Sequence, residues 1–291
     1  MDARVDYEPQ ARRVELPDRD GAMAALDFGP DDRPVDIVFS HANGFNARTY
    51  RSILAPLGAE LRILALDLRG HGASTLPAVV EGRAGWPEFR DDLLALLAAV
   101  TDRPVILAGH SMGGTSSLLA AAADTSRVRA LVLFDPVLFD GARAGEVQGD
   151  NMLAAGAERR RARFPSKAAA VEAYTGRGAF RTWRPEQLAD YVEGGFRETG
   201  EGDVTLACAP AWEASNFRTH NYDPWAAFHA APCPIRMLRA EIGSTARIEG
   251  HEAELAGLDQ VSMEVIPGTS HFLPMERPDV VRAELTRAVR A

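Results

Sequence analysis

The sequence predicts an α/β fold, a doubly wound and mostly parallel sheet with a helical insert, and three observations carry that prediction. Residues 35–39 (VDIVF), 61–66 (LRILAL), 105–108 (VILA) and 130–134 (ALVLF) are near-continuous apolar runs, the pattern of strands buried on both faces. Helical patterns at 88–100 and 115–123 lie before and after the third run, so strand and helix alternate. From about 138 to 232 no buried-strand run occurs, and the stretch reads as several helices with irregular connections.

The remaining elements follow in order. Residues 5–16 and 22–28 read as two short strands joined at the turn Pro17-Asp18-Arg19-Asp20-Gly21. Inside the insert, a helix over 185–193 opens with Pro at its first turn. Strand character returns at 235–239 (IRMLR) and 261–266 (VSMEVI), and an amphipathic helix over 278–289 closes the chain. The expected organisation is a core of residues 1–137 and 233–291 around an insert of 138–232. Twelve of the 21 Phe, Tyr and Trp residues fall in that insert, about a third of the chain. A small helical lid needs large side chains for its own core, and some of these rings are expected to wall an apolar pocket.

Composition narrows the classes of function. The 291 residues are 46% hydrophobic, and 32 Lys+Arg stand against 41 Asp+Glu for a formal charge of −9, which disfavours nucleic acid or an anionic membrane as partner. The one dense basic run, Arg159-Arg160-Arg161 with Arg163, reads as a solvated helix face. Two cysteines, Cys208 and Cys233, make no disulfide framework, and no apolar run approaches the ~18 residues of a membrane span. With a polar, acidic N-terminus, a soluble, cytoplasmic protein acting on a small molecule is expected.

Chemistry concentrates at Gly109-His110-Ser111-Met112-Gly113, which follows the VILA strand and opens a helix. This is G-x-S-x-G in the strand–turn–helix setting of a nucleophile elbow. Ser111 must occupy a sharp turn that lifts its hydroxyl clear of the sheet, and glycines at 109 and 113 let strand and helix close around it. The helix N-terminus beneath adds free N–H groups where negative charge develops.

Three further segments accompany the elbow. Ser40-His41-Ala42-Asn43-Gly44-Phe45 follows VDIVF, Asp67-Leu68-Arg69-Gly70-His71-Gly72-Ala73-Ser74 follows the next strand, and Gly268-Thr269-Ser270-His271-Phe272 leads to Glu276 and Pro278. With these motifs in this order the chain resembles the α/β-hydrolase superfamily over nearly its whole length. They look like that family's His-Gly oxyanion loop, its D-x-R-G-H-G-x-S loop and its G-x-x-H-F-x-x-x-E-x-P histidine segment. The resemblance implies the α/β-hydrolase fold with 138–232 as a cap after the sixth strand, a Ser acyl-enzyme mechanism and no organic cofactor or metal.

On that resemblance His271 is the general base for Ser111. His110 is turned away from the nucleophile and packs beneath the sheet, and His41 and His71 brace loops. Met112 supplies one oxyanion N–H by its place after the nucleophile, and the match assigns the other to Asn43, with Ala42 where the family has glycine. Haloalkane dehalogenases carry a halide-binding Asn at the place of Asn43, but they use Asp where this chain has Ser111. The third triad member is open. The family's usual G-x-x-D turn reads Ala240-Glu241-Ile242-Gly243 here, without the Asp. Asp135, ending the sixth strand, is preferred, with Glu241 as the alternative; Asp67 is residual, its expected task being to brace the loop around Arg69 and His71. The expected activity is hydrolysis of a carboxylic ester with a small to medium apolar acyl or aryl group. C–C bond, lactone and perhydrolase chemistry are open alternatives on the same fold, as is a non-catalytic binding protein.

Overall fold

Alternation along the buried runs decides which side chains go to which face. Ile106 and Ala108 join one apolar cluster with Phe39, Ala65 and Val132, while Val105 and Leu107 join the other with Val38, Leu64 and Leu131. In the computed structural model, which describes residues 7–139 and 151–291, these runs are the central strands of one sheet.

The first half comprises β1 (Gln10–Leu16), β2 (Gly21–Phe28), β3 (Ile37–Ser40), α1 (Arg51–Leu54), β4 (Ile63–Leu66), α2 (Pro87–Val100), β5 (Val105–His110), α3 (Met112–Ala123) and β6 (Val128–Phe134). Every residue of β3, β4 and β5 is buried. The chain then runs through α4 (Met152–Glu158), β7 (Arg163–Phe164), α5 (Lys167–Tyr174), α6 (Pro185–Gly195), β8 (Phe196–Glu198), β9 (Val204–Leu206), α7 (Pro210–Arg218) and α8 (Pro224–Ala230). It ends with β10 (Ile235–Ile242), α9 (Glu252–Ala256), β11 (Val261–Ser270), α10 (Leu273–Glu276) and α11 (Pro278–Arg290).

The strand order is β1-β2-β4-β3-β5-β6-β10-β11. β2 is antiparallel to both β1 and β4, and the other pairings are parallel. From β3 the chain steps outward to β4 and then returns to β5 on the other side. The order therefore reverses between β3 and β5, and the crevice beyond their carboxyl ends is where such sheets place ligands. Helices α2, α3 and α8 pack on one face, and α1 and α11 on the other. Among the described residues no helix is long and apolar enough to cross a membrane.

The insert is mostly helical, as expected, and β7, β9 and β8 add a three-stranded antiparallel sheet to it. Strands of two or three residues are too short to show a period. The basic run is not a solvated helix face: α4 stops at Glu158, and Arg160 turns inward to hydrogen-bond Glu213 and the Tyr191 hydroxyl. Finally, residues 5 and 6 of the predicted first strand and 140–150 of the insert lie outside the described residues. The insert's last helix, α8, packs against α3, with Trp225 and Phe228 in the core cluster.

Candidate active site

Ser111 joins β5 to α3 with φ 55° and ψ −122°, a backbone region that costs a non-glycine residue on the order of 1–3 kcal/mol. The surroundings hold it there: its N–H donates to the Phe134 carbonyl at 3.0 Å and its own carbonyl accepts from the Thr115 N–H at 3.1 Å. The flanking glycines are required by close approach. A Cβ on Gly109 would lie 2.5 Å from the Gly113 carbonyl, and one on Gly113 would lie 2.2 Å from the Ser40 oxygen. The Ser111 hydroxyl makes no capping bond to α3 and instead lies 3.1 Å from His271 Nε2.

His271 directly follows β11. Glu276, one turn on, fixes this loop by accepting from the Ser270 N–H at 2.7 Å and the Ser270 hydroxyl at 2.8 Å. On the far side of the ring, Nδ1 lies 2.7 Å from Asp135 Oδ2. Asp135 is fully buried just past β6, at φ 44°. The β6–β10 ladder ends at Phe134–Leu238, and beyond it the Ala240 N–H donates to Asp135 Oδ1 at 2.9 Å. Ser244 Oγ donates to the same oxygen at 2.5 Å, and the Thr245 N–H to Oδ2 at 3.0 Å. Burial pushes the Asp135 carboxyl up, but the bonds from His271, Ser244 and Ala240 outweigh it and hold the group below the usual carboxylate range.

Glu241 is placed elsewhere. Its exposed carboxylate accepts the Gly268 N–H at 2.8 Å and so braces the base of the histidine loop, and the carboxylate on His271 is that of Asp135. Asp67 is also apart: it accepts from the Ala47 and Ala73 N–H groups, both at 2.8 Å, and burial pushes it up to about 6. Arg69 is tied to Asp92 through two bonds of 2.8 and 2.7 Å.

The loop after β3 carries the second feature of the site. Ala42 N–H donates to the Tyr50 hydroxyl, Gly44 N–H to His71 Nε2, Phe45 N–H to the Ala42 carbonyl and Asn46 N–H to Thr49 Oγ1. Among the described residues, Asn43 has the one amide from Ala42 to Asn46 without an acceptor. The Asn43 side chain is committed to α7, with Nδ2 donating to the Glu213 carbonyl at 3.0 Å and Oδ1 accepting from Asn216 at 2.8 Å. Met112 opens α3, where first-turn N–H groups have no intrahelical acceptor.

His41 and His71 tie loops together. His41 Nε2 accepts from the Leu68 N–H at 2.9 Å, and its Nδ1, facing the Ala42 carbonyl at 2.7 Å, therefore carries the proton. His71 bonds Gly44 and the Arg69 carbonyl in the same sense. Burial drives both rings well below the ordinary histidine range, His71 to about 4. The insert aromatics divide. Trp212, Tyr222, Trp225 and Phe228 belong to the cluster with α2, α3 and α8, whereas Trp183 and Tyr191 belong to the other cluster and meet Phe45 of the β3 loop at 5.2 and 5.7 Å. Trp183 also lies 6.1 Å from Phe272, beside His271.

Sequence reasoning missed Tyr50, Ser244, Thr245 and Asn216. Ser244 and Thr245 had a signal: a loop that lacks its expected acid, with two hydroxyl residues directly after Gly243, suits donation to an acid held elsewhere. Tyr50 and Asn216 had none, since each meets the site only through tertiary packing.

The chain is 23% identical to the 2-(acetamidomethylene)succinate hydrolase of Mesorhizobium japonicum over 257 residues, 88% of each chain. It is 37% identical to lipase LipV of Mycobacterium tuberculosis over 130 residues, just under half of each chain. The crystal structure of an E-2-(acetamidomethylene)succinate hydrolase superposes with a TM-score of 0.78 at 21% identity, covering 97% of this chain and 100% of the other. Residues 37–284 match the Alpha/beta hydrolase family, and by that match, with the sheet order and the elbow, the chain belongs to the alpha/beta hydrolase family.

Proposed function

We propose that this protein is a serine hydrolase that cleaves a carboxylic ester through an acyl-enzyme. The observation that carries the reading is the continuous chain from Ser111 Oγ to His271 Nε2 at 3.1 Å and from His271 Nδ1 to Asp135 at 2.7 Å. In this reading His271 takes the hydroxyl proton as Ser111 attacks the acyl carbon, then delivers it to the leaving alcohol. Asp135 fixes the proton on Nδ1 and offsets the imidazolium charge. The tetrahedral oxyanion is received by the N–H groups of Met112 and Asn43, each such donor stabilising the transition state by about 2.7–4 kcal/mol. Water, activated by the same imidazole, then releases the acid. No organic cofactor has a step in this sequence.

The mutually packed rings of Trp183, Phe45 and Phe272, the last beside His271, support an apolar acyl or aryl substituent. In this reading the core of residues 1–137 and 233–291 supplies the reacting groups, and the insert of 138–232 acts as their cap. The likeness to the Mesorhizobium hydrolase over 88% of each chain favours a second reading within the same mechanism, an acyl compound other than a simple ester. A panel of p-nitrophenyl esters of graded chain length, run beside aryl esters, lactones and N-acyl compounds, tests both. Fastest turnover of a short- to medium-chain or aryl ester supports the first reading, preference for an N-acyl compound or lactone supports the second, and turnover of none refutes both.

A further inference from the structure

We propose that Tyr50 and His110 are positioning residues, a buried hydrogen-bonded relay that sets the histidine loop against the oxyanion loop; the proposal rests on the serine-hydrolase reading above. His110 stands between the VILA strand and the nucleophile, at the end of β5, and its ring is fully buried beside that of His271. Its Nε2 is 2.7 Å from the carbonyl oxygen of His271 itself, so that nitrogen must carry the proton and donate. Nδ1 is then an acceptor, and the Tyr50 hydroxyl donates to it at 2.8 Å. The Tyr50 oxygen accepts in turn from the Ala42 N–H at 3.2 Å. Every bond in the series therefore points one way, from the loop that carries Asn43 to the backbone of the base.

Three features make this more than core filling. Tyr50 and His110 are both fully buried, so a broken link leaves polar atoms that water cannot satisfy. The His110 ring lies 4.9 Å from the His271 ring, where a second cation would oppose an imidazolium. Burial, reinforced by that neighbour, drives His110 down to about 3, which keeps the relay in its single neutral form. Finally, the relay joins three segments that arrive from distant parts of the chain: residues 42–50, the elbow and the loop after β11. A misplacement of about 1 Å between nucleophile and base can cost about 100-fold in rate.

The test compares Tyr50→Phe, His110→Leu and His110→Gln with wild type. Turnover, thermal midpoint and the downfield proton resonance of His271 Nδ1–H are measured for each. Tyr50→Phe is expected to lower kcat about tenfold with KM within twofold, and His110→Leu to lower it about 100-fold. His110→Gln, whose amide N–H can still reach the His271 carbonyl, recovers part of that loss. The Nδ1 proton shifts or exchanges faster in the two variants that break the relay. If both instead lower the thermal midpoint while kcat and the proton resonance match wild type, the residues are merely structural and the proposal fails. Labelling of wild type at Ser111 by a fluorophosphonate checks the underlying reading separately. Should that labelling fail, the proton resonance still decides the relay, and an unchanged signal in Tyr50→Phe and His110→Leu overturns it.

Discussion

Asp135→Asn perturbs the site with almost no change in volume. Each oxygen of the carboxylate accepts one backbone N–H that cannot turn away: Ala240 on Oδ1 at 2.9 Å and Thr245 on Oδ2 at 3.0 Å. An amide nitrogen at either position therefore opposes a fixed donor and leaves it unsatisfied, at about 1–3 kcal/mol. At Oδ1 the Ser244 hydroxyl can rotate to accept. At Oδ2 the amide also faces His271, whose ring can move its proton to Nε2. That proton then points at Ser111 Oγ, 3.1 Å away, and the ring donates where it must accept. In either placement the imidazolium loses its anion. A wrong tautomer in a Ser-His-Asp arrangement costs about 10⁴ in turnover, or about 5 kcal/mol at 1.36 kcal/mol per decade. The assay is kcat and KM on the ester that wild type turns over fastest, with a thermal melt alongside. The expected result is a fall of three to four decades, by roughly the same factor in kcat and kcat/KM. A variant within tenfold of wild type, folded and melting normally, would refute the assignment of Asp135.

The other predictions are smaller in scope. Glu241→Gln keeps an oxygen for the Gly268 N–H, so turnover stays within about tenfold of wild type; a loss of several decades would return the acid role to Glu241. Gly113→Ala places a methyl group 2.2 Å from the Ser40 oxygen, and a loss of at least about 1–3 kcal/mol, read as a lower melting midpoint, is expected. Stability also depends on pH with a definite sign. His71 and His110, depressed to about 4 and about 3, stay neutral in the fold while the unfolded rings protonate near 6.5. Each therefore stabilises fully above about pH 6.5 and loses on the order of 2 kcal/mol by pH 5. Asp67, raised to about 6, acts oppositely and returns about 1 kcal/mol over that interval. Burial depresses His41 and His220 in the same sense, His220 to about 4, so denaturant unfolding at pH 7 and pH 5 should show a net fall of at least about 3 kcal/mol, and a flat or rising stability would contradict it.

What was legible in the sequence follows from where the information sits. β3, β4 and β5 lie inside the sheet with every residue buried, so their apolar runs stand out. The elbow and the histidine loop show because each follows such a strand and needs its residue types in fixed local order. The acid was harder to choose, since a carboxylate can reach the His271 ring from the end of β6 or the end of β10. What decides is the set of donors around it, Ala240, Ser244 and Thr245, over a hundred residues from Asp135 in the chain. Arg160 was misread for a related reason: a basic run looks solvated until Glu213 and Tyr191, brought in by α7 and α6, give one member an inward partner. Likewise, nothing local distinguishes Trp183, which faces Phe45, from Trp225, which packs on α3.

The most direct measurement of the central claim is the mass of the intact protein after reaction with a fluorophosphonate, followed by mapping of the modified peptide. The account predicts one adduct per chain on Ser111, absent in Ser111→Ala and formed orders of magnitude more slowly in His271→Asn. A folded wild-type protein that takes up no adduct, or takes it up at another residue, would contradict it.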